Sequence, residues 1–322
     1  MMDRRKFVGA VAVGAGAPVL LVRAQRGERV FRVAIVYSAP IFSASFLKRL
    51  RALGYEEGRN LQVESVSAVT SLDQLPAVAA EMAGRHPDVM FAGGGEPVLR
   101  AITQAAGATP IVMLFIDFDP VARGYVASLA RPGGNVTGIY LQQLDVAAKK
   151  LQLLKEAVPS AKRVAALFDN STRDQYRVAE SAAPQLGITL LPRELQGNPY
   201  DFEGAVQSAA NDRADAVLIL SSGVFFPARH ILMDAIRKHR LPSMGSVPFR
   251  DAGTMLCYSA NFHDIWMRAA DYADRIFRGQ KPAEMAIEQP TKLEFIINLQ
   301  TANSLGIVIP EPLLRRADEV IR

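Results

Sequence analysis

Short apolar runs alternate with amphipathic segments along most of the chain, and this alternation limits the possible folds more than any other feature. Residues 111–116, Ile-Val-Met-Leu-Phe-Ile, are apolar throughout, as expected of a strand that is buried on both faces. Residues 46–53 instead place Phe46, Leu50 and Leu53 at the spacing of an amphipathic helix. The two patterns follow each other repeatedly, which is typical of an α/β protein.

The same reading assigns strands and helices to the rest of the chain. We predict strands at 31–37, 61–66, 88–91, 111–116, 136–141, 164–168, 188–191, 216–220, 244–247 and 255–259. We predict helices at 46–53, 72–83, 97–106, 146–158, 176–186, 202–210, 227–239 and 265–278, followed by an extended segment at 287–299. Strands that alternate with helices form parallel sheets covered on both faces. Two such series in succession predict an α/β fold of two doubly wound parallel-sheet lobes.

The stretch 117–138 lies between the two series. Asp119 followed by Pro120 is typical of a helix start, because the carboxylate caps free N–H groups and proline lacks an N–H that needs a partner. A short helix is therefore predicted from this pair as far as Leu129, ended by Pro132 and the glycines after it.

Composition and charge exclude several classes of protein. The 322 residues are 49% hydrophobic, enough for two globular lobes. The chain has 37 basic and 32 acidic residues, of which four basic and one acidic residue lie in the first 24, so the remainder carries a charge of about +2. Its scattered basic residues do not predict nucleic-acid binding. Cys257 is the single cysteine, which excludes a disulfide framework within the chain.

Residues 1–24 have the pattern of a signal peptide. Arg4, Arg5 and Lys6 precede an apolar stretch at 7–22, and Ala24 provides the small residue that a signal peptidase needs. The motif around the arginine pair resembles the twin-arginine export signal, although a general secretory signal and a membrane anchor are alternatives. We expect an exported, soluble, periplasmic protein without a lipid anchor, because no cysteine lies near the cleavage point.

Ligands of doubly wound proteins bind beyond the carboxyl ends of the strands. The turn at 93–96, Gly-Gly-Gly-Glu, allows close backbone approach and exposes N–H groups at a helix start. It lacks the Lys-Ser/Thr pair of a phosphate loop, so it is either a ligand-binding turn or a tight turn that needs positive φ.

Two further turns, 169–172 and 221–223, are rich in hydroxyl and carboxylate groups that can cap a helix or bind a ligand. Phe225 and Phe226 follow the second of them. These two rings either stack on a ligand or pack beneath the next helix.

Catalytic patterns are sparse. Ser45 and Lys48 fit the S-x-x-K spacing, but the S-D-N and K-T-G partners of that motif are missing. The four histidines show no metal-ligand spacing, and no nucleophile is paired with a base. The sequence therefore predicts no metal, no cofactor and no enzyme activity.

Three segments resemble one known family. They are 119–138, with the run Ser-Leu-Ala-Arg-Pro-Gly-Gly-Asn-Val-Thr-Gly at its end, 54–61, and the tail at 288–321. These residues resemble the ABC-transporter substrate-binding proteins that include tryptophan- and tyrosine-binding receptors, which have the type I periplasmic-binding-protein fold.

The resemblance implies a receptor that closes on a small molecule between two lobes joined by a hinge and presents it to an ABC permease in the inner membrane. We expect a monomer, with residues 28–140 and 261–283 in the N-terminal lobe and 141–260 and 284–322 in the C-terminal lobe. The chain would cross between them near 138–141, 259–263 and 283–289.

The resemblance also implies ligand contacts on the strand-end turns. The candidate residues are Ser38, Ser43, Gly94, Gly95, Glu96, Asp117, Asp119, Asn170, Ser171, Ser221, Ser222 and Ser246. The glycines before Glu96 and the Asp117-Phe118-Asp119 run depart from the family pattern. Because a buried carboxylate needs a partner, Glu96 or Asp117 is expected to pair with an ammonium group of the ligand.

We therefore predict a receptor for an amino acid or another small carboxylate-bearing compound. An exported enzyme that acts on a small molecule in the same cleft is one alternative. A ligand-sensing subunit that docks a signalling protein is another, and the residues do not distinguish it from a transport receptor.

Overall fold

The computed structural model describes residues 29–37, 43–67, 74–116, 118–141, 143–197, 199–290 and 292–322. Its strands are β1 (Phe31–Tyr37), β2 (Leu61–Ser67), β3 (Val89–Gly93), β4 (Ile111–Ile116), β5 (Val136–Tyr140), β6 (Arg163–Phe168), β7 (Thr189–Glu194), β8 (Ala216–Ile219), β9 (Ser243–Gly245), β10 (Leu256–Ala260), β11 (Leu293–Asn298) and β12 (Glu319–Ile321). Its α-helices are α1 (Ser43–Ala52), α2 (Leu75–Gly84), α3 (Glu96–Ala105), α4 (Gln143–Ala157), α5 (Arg173–Ala182), α6 (Phe202–Asn211), α7 (Arg229–Lys238), α8 (Phe262–Phe277), α9 (Leu299–Ser304) and α10 (Glu311–Leu314). The predicted signal peptide and the candidates Ser38 and Asp117 lie outside the described residues.

The strands form two sheets. The first has the order β2-β1-β3-β4-β5 and is parallel. The second has the order β12-β11-β10-β9-β8-β6-β7, in which β10 and β11 are antiparallel and the other neighbours parallel. Five strands of the second sheet, β7-β6-β8-β9-β10, repeat the order of the first. The predicted α/β fold with two parallel-dominated sheets is confirmed.

Alternate residues of the strands pack against helices on opposite faces, because successive side chains of a strand point to opposite sides. In β1, Val33 and Ile35 join the core with α1, whereas Ala34 and Val36 pack with α2 and α3. In the second sheet, Ala216 and Leu218 of β8 pack with α4, and the intervening residues pack with α6 and α7. The central strands of both sheets are therefore buried on both faces.

Helix α8 follows β10 of the second sheet but packs on the first sheet. The Trp266 ring lies edge-on to Phe46 and to Tyr37, with centroids 5.9 Å apart in each pair. Phe277 stacks on Phe31 at 4.4 Å. These contacts bury the apolar face of α8 against α1 and β1, so the chain returns to the first sheet after completing most of the second.

The segment after α8 is also attached to the first sheet. Thr137 Oγ1 donates to Met285 O at 2.7 Å, Glu288 N donates to Gly138 O at 2.9 Å, and Tyr140 N donates to Glu288 O at 2.9 Å. Arg268 of α8 forms an ion pair with the Glu288 carboxylate. The hydrogen bonds of 285–288 therefore extend β5, and the chain reaches the second sheet again only at β11.

The helix predicted from Asp119 to Leu129 is wrong. The chain there forms turns, in which the Asp119 carboxylate accepts from Val121 N at 2.8 Å and Ala122 N at 3.1 Å. The capping hydrogen bonds predicted for Asp119 are thus present, but no helix follows them. Gly124 adopts φ 76°, a left-handed conformation that ends a helix within one turn.

Among the described residues of the segment predicted to be extended at 287–299, a strand forms at Leu293–Asn298, and it runs antiparallel to β10. Among the described residues, no helix combines the length and apolar character that crossing a membrane requires.

Gly138 provides a test of how tightly β5 packs on β4. The residue has φ 134°, and a Cβ atom placed on it would lie 2.2 Å from Met113 O and 2.6 Å from Met113 N. We expect Gly138→Ala to lower the free energy of unfolding by roughly 3 kcal/mol or more, because neither the backbone of β4 nor the positive φ can adjust without strain.

Urea unfolding followed by circular dichroism measures this loss. Gly134→Ala is the matched control, since a Cβ atom placed on Gly134 would have no other atom within 4 Å. Equal stability of the two variants would contradict the packing described for Gly138.

Candidate functional site

The same rule predicts where a ligand can bind on each of the two sheets. In a doubly wound sheet, ligands bind where the strand order reverses, beyond the carboxyl ends of the two central strands. In the first sheet these strands are β1 and β3, and in the second they are β6 and β8. The turn at 93–96 follows β3, residues 169–172 follow β6, and Ser221 and Ser222 follow β8.

The turns of the two sheets face each other. A Cβ atom placed on Gly95 would lie 3.9 Å from Cβ of Ser171, which is van der Waals distance. Gly95 caps the amino end of α3 in the first sheet, and Ser171 lies in the turn before α5 in the second. The structure therefore brings together candidate residues from opposite lobes.

The glycines of this turn have different roles. Gly94 has φ 115°, so the interpretation as a turn that needs positive φ fits this position. A Cβ on Gly93 would lie 2.8 Å from Cβ of Tyr37, so β1 leaves no room for a side chain there. Gly95 has an extended backbone, with φ −70° and ψ 172°, and any residue can adopt that conformation. Its missing side chain keeps open the space in front of Ser171.

Glu96 has partners within its own lobe. Its carboxylate accepts a hydrogen bond from Tyr125 OH at 3.2 Å and lies 3.5 Å from Arg123 and 3.7 Å from Arg100. Burial and the nearby carboxylate raise the pKa of the Tyr125 phenol. A ligand ammonium group would therefore compete with two guanidinium groups for this carboxylate.

Asp169 is buried and organises the turn after β6. Its carboxylate accepts from Ser171 N at 2.9 Å and from Ser171 Oγ at 2.6 Å. It also accepts from Thr172 Oγ1, from Ser222 Oγ and, at 3.3 Å, from Tyr200 OH. Burial and the charge of Asp169 raise the pKa of Tyr200 to about 12. The hydroxyl groups of Ser171 and Ser222 are therefore directed at this carboxylate.

Lys150 of α4 is buried beside the ends of β8 and β9. Its Nζ donates to Ser246 Oγ at 2.7 Å and to Ser221 Oγ at 3.0 Å, and the two serine oxygens lie 2.9 Å apart. Gln175 Oε1 accepts from Ser221 N at 3.0 Å. Burial lowers the pKa of Lys150 to about 7, because the charged ammonium is poorly solvated there. We call Lys150, Ser221 and Ser246 the lysine–serine cluster.

Two of the remaining candidates are exposed. Asn170 is exposed at the start of its turn, Asp119 is exposed and caps the turn described above, and Ser43 begins α1. Phe225 and Phe226 are buried and contact other aromatic rings, including Phe249 and Phe262. The interpretation that these phenylalanines pack internally is confirmed. Within the described ranges, no group of three or more His, Cys, Asp or Glu side chains is arranged to hold a metal.

The cap predicted in the turn 169–172 is present at Asp169. The sequence prediction missed other members of these networks, namely Lys150, Gln175 and Tyr200. One signal was available for the lysine. Val146, Ala147, Lys150, Leu151 and Leu154 share one helical face, so a charged residue stands at a position where the pattern demands an apolar one. No comparable local pattern marks the tyrosine, whose contact with Asp169 depends on the tertiary fold.

The comparisons with known proteins agree on a family. A family model described as ABC transporter substrate binding protein matches residues 41–321. A tyrosine-binding protein from Clostridioides difficile (strain R20291) is 23% identical over 271 residues, which cover 81% of this chain and 75% of that protein.

Two solved structures share the fold. A conserved domain protein from Vibrio cholerae O1 biovar El Tor has a TM-score of 0.81 and 26% identity, and the match covers 91% of this chain and all of that one (100%). An ABC domain from Streptococcus pneumoniae in complex with L-Trp has a TM-score of 0.79 and 20% identity, with coverage of 91% and 100%. The predicted two-lobed fold, similar to type I periplasmic-binding proteins, is confirmed.

Burial of Lys150 predicts a specific pH dependence of stability. The pKa is about 7 in the folded chain and 10.5 for an unperturbed lysine, so the unfolded chain holds more protons between these values. We expect the contribution of Lys150 to make the free energy of unfolding rise with pH in this window, by up to about 1.4 kcal/mol per unit.

Urea unfolding of wild type and Lys150→Met at pH 7, 8 and 9 isolates this contribution as the difference between the two slopes. Lys149→Met is the control, because Lys149 is less buried and bonds to Gln152, outside the cluster. Identical slopes for wild type and Lys150→Met would contradict the lowered pKa.

Asp169→Asn is expected to lower the free energy of unfolding by about 2 kcal/mol or more. The amide nitrogen of asparagine would face hydroxyl and N–H donors that the carboxylate now accepts, which leaves buried donors without partners. Differential scanning calorimetry measures the loss. Asp174→Asn, which removes an exposed partner of Arg177, is expected to change stability by less than about 0.5 kcal/mol.

Proposed function

The chain belongs to the family of ABC transporter substrate-binding proteins, and from this premise we propose that it is a periplasmic receptor that closes on a small molecule between its two lobes. The family is one of solute-binding proteins and is not an enzyme family. The approach of Gly95 to Ser171 is the observation that carries the proposal for this chain. A solute held between these turns would contact both lobes at once.

Such a receptor works by a shift between conformations. A solute that contacts both lobes binds the closed form more tightly than the open form and so increases its population. The closed receptor then docks an ABC permease in the inner membrane and delivers the solute. We propose that it does so as a monomer, after export directed by residues 1–24 through the twin-arginine or the general secretory route.

The position of the hinge is inferred from the places where the chain passes between the two lobes. We propose that the lobes are joined after β5, between β10 and α8, and between residue 288 and β11. Hydrogen bonds from 285–288 to β5 support placing the last crossing a few residues beyond the boundary at 283/284 that the sequence predicts. The N-terminal lobe then comprises residues 28–140 with 261–288, and the C-terminal lobe the remainder of the chain.

We propose an amino acid or another small carboxylate-bearing compound as the solute. Two of the similar proteins bear names that refer to tyrosine and L-Trp. The hydroxyl-rich turns of the second lobe offer donors to a carboxylate. The candidate residues that we retain for contact are those at the facing edges, namely Gly94, Gly95, Ser171, Ser221 and Ser246.

A thermal-shift screen of the purified protein against amino acids, aromatic acids and other small carboxylates tests the function. A solute that binds only the folded chain at a hundredfold excess over its Kd adds about 2.7 kcal/mol of stability. We expect a rise in melting temperature with one chemical class, and recovery of the compound unchanged. Conversion of the compound to a product would instead indicate an enzyme.

Gly95→Trp tests the closure. The backbone at Gly95 accepts any residue, but an indole there would separate the facing turns. We expect the variant to fold, to bind at least tenfold more weakly, and to lose the decrease in radius of gyration that the solute causes in small-angle scattering. Gly84→Trp is the control, since a Cβ atom placed on Gly84 would meet open space, with no other atom within 4 Å. Unchanged closure in Gly95→Trp would contradict the proposed site.

A further inference from the structure

We propose that the lysine–serine cluster is a subsite for a carboxylate of the solute, and that the Lys150 amine takes up a proton when the solute binds. This inference rests on the proposed function, because it concerns the same cleft. The second lobe would then recognise a negatively charged group of the solute, and protonated Lys150 would balance that charge.

The hydrogen bonds of the cluster have a direction. A protonated Lys150 Nζ can only donate, so the oxygens of Ser246 and Ser221 both accept from it, at 2.7 and 3.0 Å. The two hydroxyl groups lie 2.9 Å apart, and only one of them can donate to the other. Ser246 is buried, whereas Ser221 is partly exposed at the end of β8. With Ser246 donating to Ser221, the Ser221 hydroxyl hydrogen points out of the cluster, toward the cleft.

This arrangement makes Ser221 a donor that an acceptor group of the solute can use. A carboxylate oxygen at about 2.7 Å from Ser221 Oγ would lie within about 6 Å of Nζ, a range in which opposite charges favour the protonated amine. A solute amide could accept the same hydrogen bond but would bring no charge to the lysine. The cluster thus distinguishes an acid from its amide.

The Lys150 amine has no ion-pair partner among the described residues, and the Asp169 carboxylate on the neighbouring turn already accepts from Ser171 and Ser222. Helix α5 presents the neutral amide of Gln175 to the cluster, and the ends of β8 and β9 present the two serines. Strand β10 presents Cys257, whose thiol stays neutral because burial raises its pKa to about 12. A carboxylate of the solute would therefore be the negative partner of protonated Lys150.

Proton uptake follows from the same balance. In the free receptor the buried amine is largely neutral above pH 7, with a lone pair on Nζ. When the carboxylate binds, this lone pair accepts one proton from the buffer, and the buffer is left as its conjugate base. Because linkage is reciprocal, raising the pH must then weaken binding of the carboxylate.

The first test follows Lys150 directly by NMR of protein labelled with ¹³Cε-lysine, with the resonance assigned by its loss in Lys150→Met. The probes are acetate, benzoate and L-tryptophan, and their counterparts without the carboxylate are acetamide, benzamide and L-tryptophanamide, of which the last keeps its α-ammonium group. We expect a titration midpoint near 7 without probe, raised by one unit or more with at least one carboxylate and unchanged with its amide. An unperturbed midpoint in the free protein, or no response to any carboxylate, would overturn the proposal.

The second test measures protons by calorimetry at pH 8 in buffers of different ionisation enthalpy, with the best-binding acid of the solute screen. We expect wild type to take up close to one proton per solute, since an amine with a pKa of about 7 is about nine-tenths neutral at this pH. Affinity should fall by up to about tenfold per pH unit above 7. Lys150→Met should bind the acid at least tenfold more weakly, with no uptake and no pH slope.

Two further variants test whether the response depends on Ser221 and on the position of the lysine. Ser221→Ala should keep the Lys150 titration of the free protein but lose its response to carboxylate. Lys149→Met should behave as wild type, because the same substitution at the neighbouring position leaves the lysine–serine cluster intact. Binding of acid and amide with equal affinity and no proton uptake would overturn the subsite while leaving the receptor function intact. Failure of every solute to stabilise or close the protein would instead count against the proposed function.

Discussion

The shared strand order of the two sheets is the constraint on which the rest of this molecule depends. Parallel strands end at one edge of their sheet, and the reversal of order between β1 and β3, and between β6 and β8, leaves a crevice at that edge. The polar residues of both lobes follow these strands. Because the central strands of each sheet are buried on both faces, their end turns are where backbone and hydroxyl groups remain available.

The two facing edges differ in chemistry. The first lobe offers glycines and a Glu96 carboxylate that its own arginines balance. The second lobe contains two buried polar networks, one centred on the Asp169 carboxylate and the other on the Lys150 amine. In the first network, five hydrogen bonds hold the Asp169 carboxylate in its turn. In the second, the Lys150 amine has a pKa of about 7 and no carboxylate partner in the described part of the chain, so its protonation can balance an incoming anion.

Local sequence patterns determine strands and helices well here, because parallel strands are apolar runs and their helices are amphipathic. The strand predicted at 111–116 has the same bounds in the structure. The short helix predicted after Asp119 fails because Gly124 turns left-handed there, although the cap itself is present. The antiparallel pairing of β10 with β11 depends on the route of the chain through α8, which no local pattern records.

The site is predictable only in part. Position after a strand end identifies Gly95, Ser171, Ser221 and Ser246, which the structure places on two facing edges or in the lysine–serine cluster. Their partners are not predictable by that rule, since Tyr200 reaches Asp169 and Arg123 reaches Glu96 only through tertiary packing. In the sequence, Lys150 is a charged residue on an otherwise apolar helical face, and this pattern indicates a buried lysine.

The return of α8 to the first sheet also determines when, during synthesis of the chain, the first lobe can finish folding. The first lobe needs Trp266 against Phe46, Phe277 against Phe31, and residues 285–288 along β5. Trp266, Phe277 and residues 285–288 lie downstream of β6 to β10 in the chain. While a ribosome is still making the second lobe, the first lobe therefore exposes the apolar surface that α8 later covers. Nascent chains that stop before residue 262 would present this surface to chaperones, and the first lobe can be completed only when synthesis is almost finished.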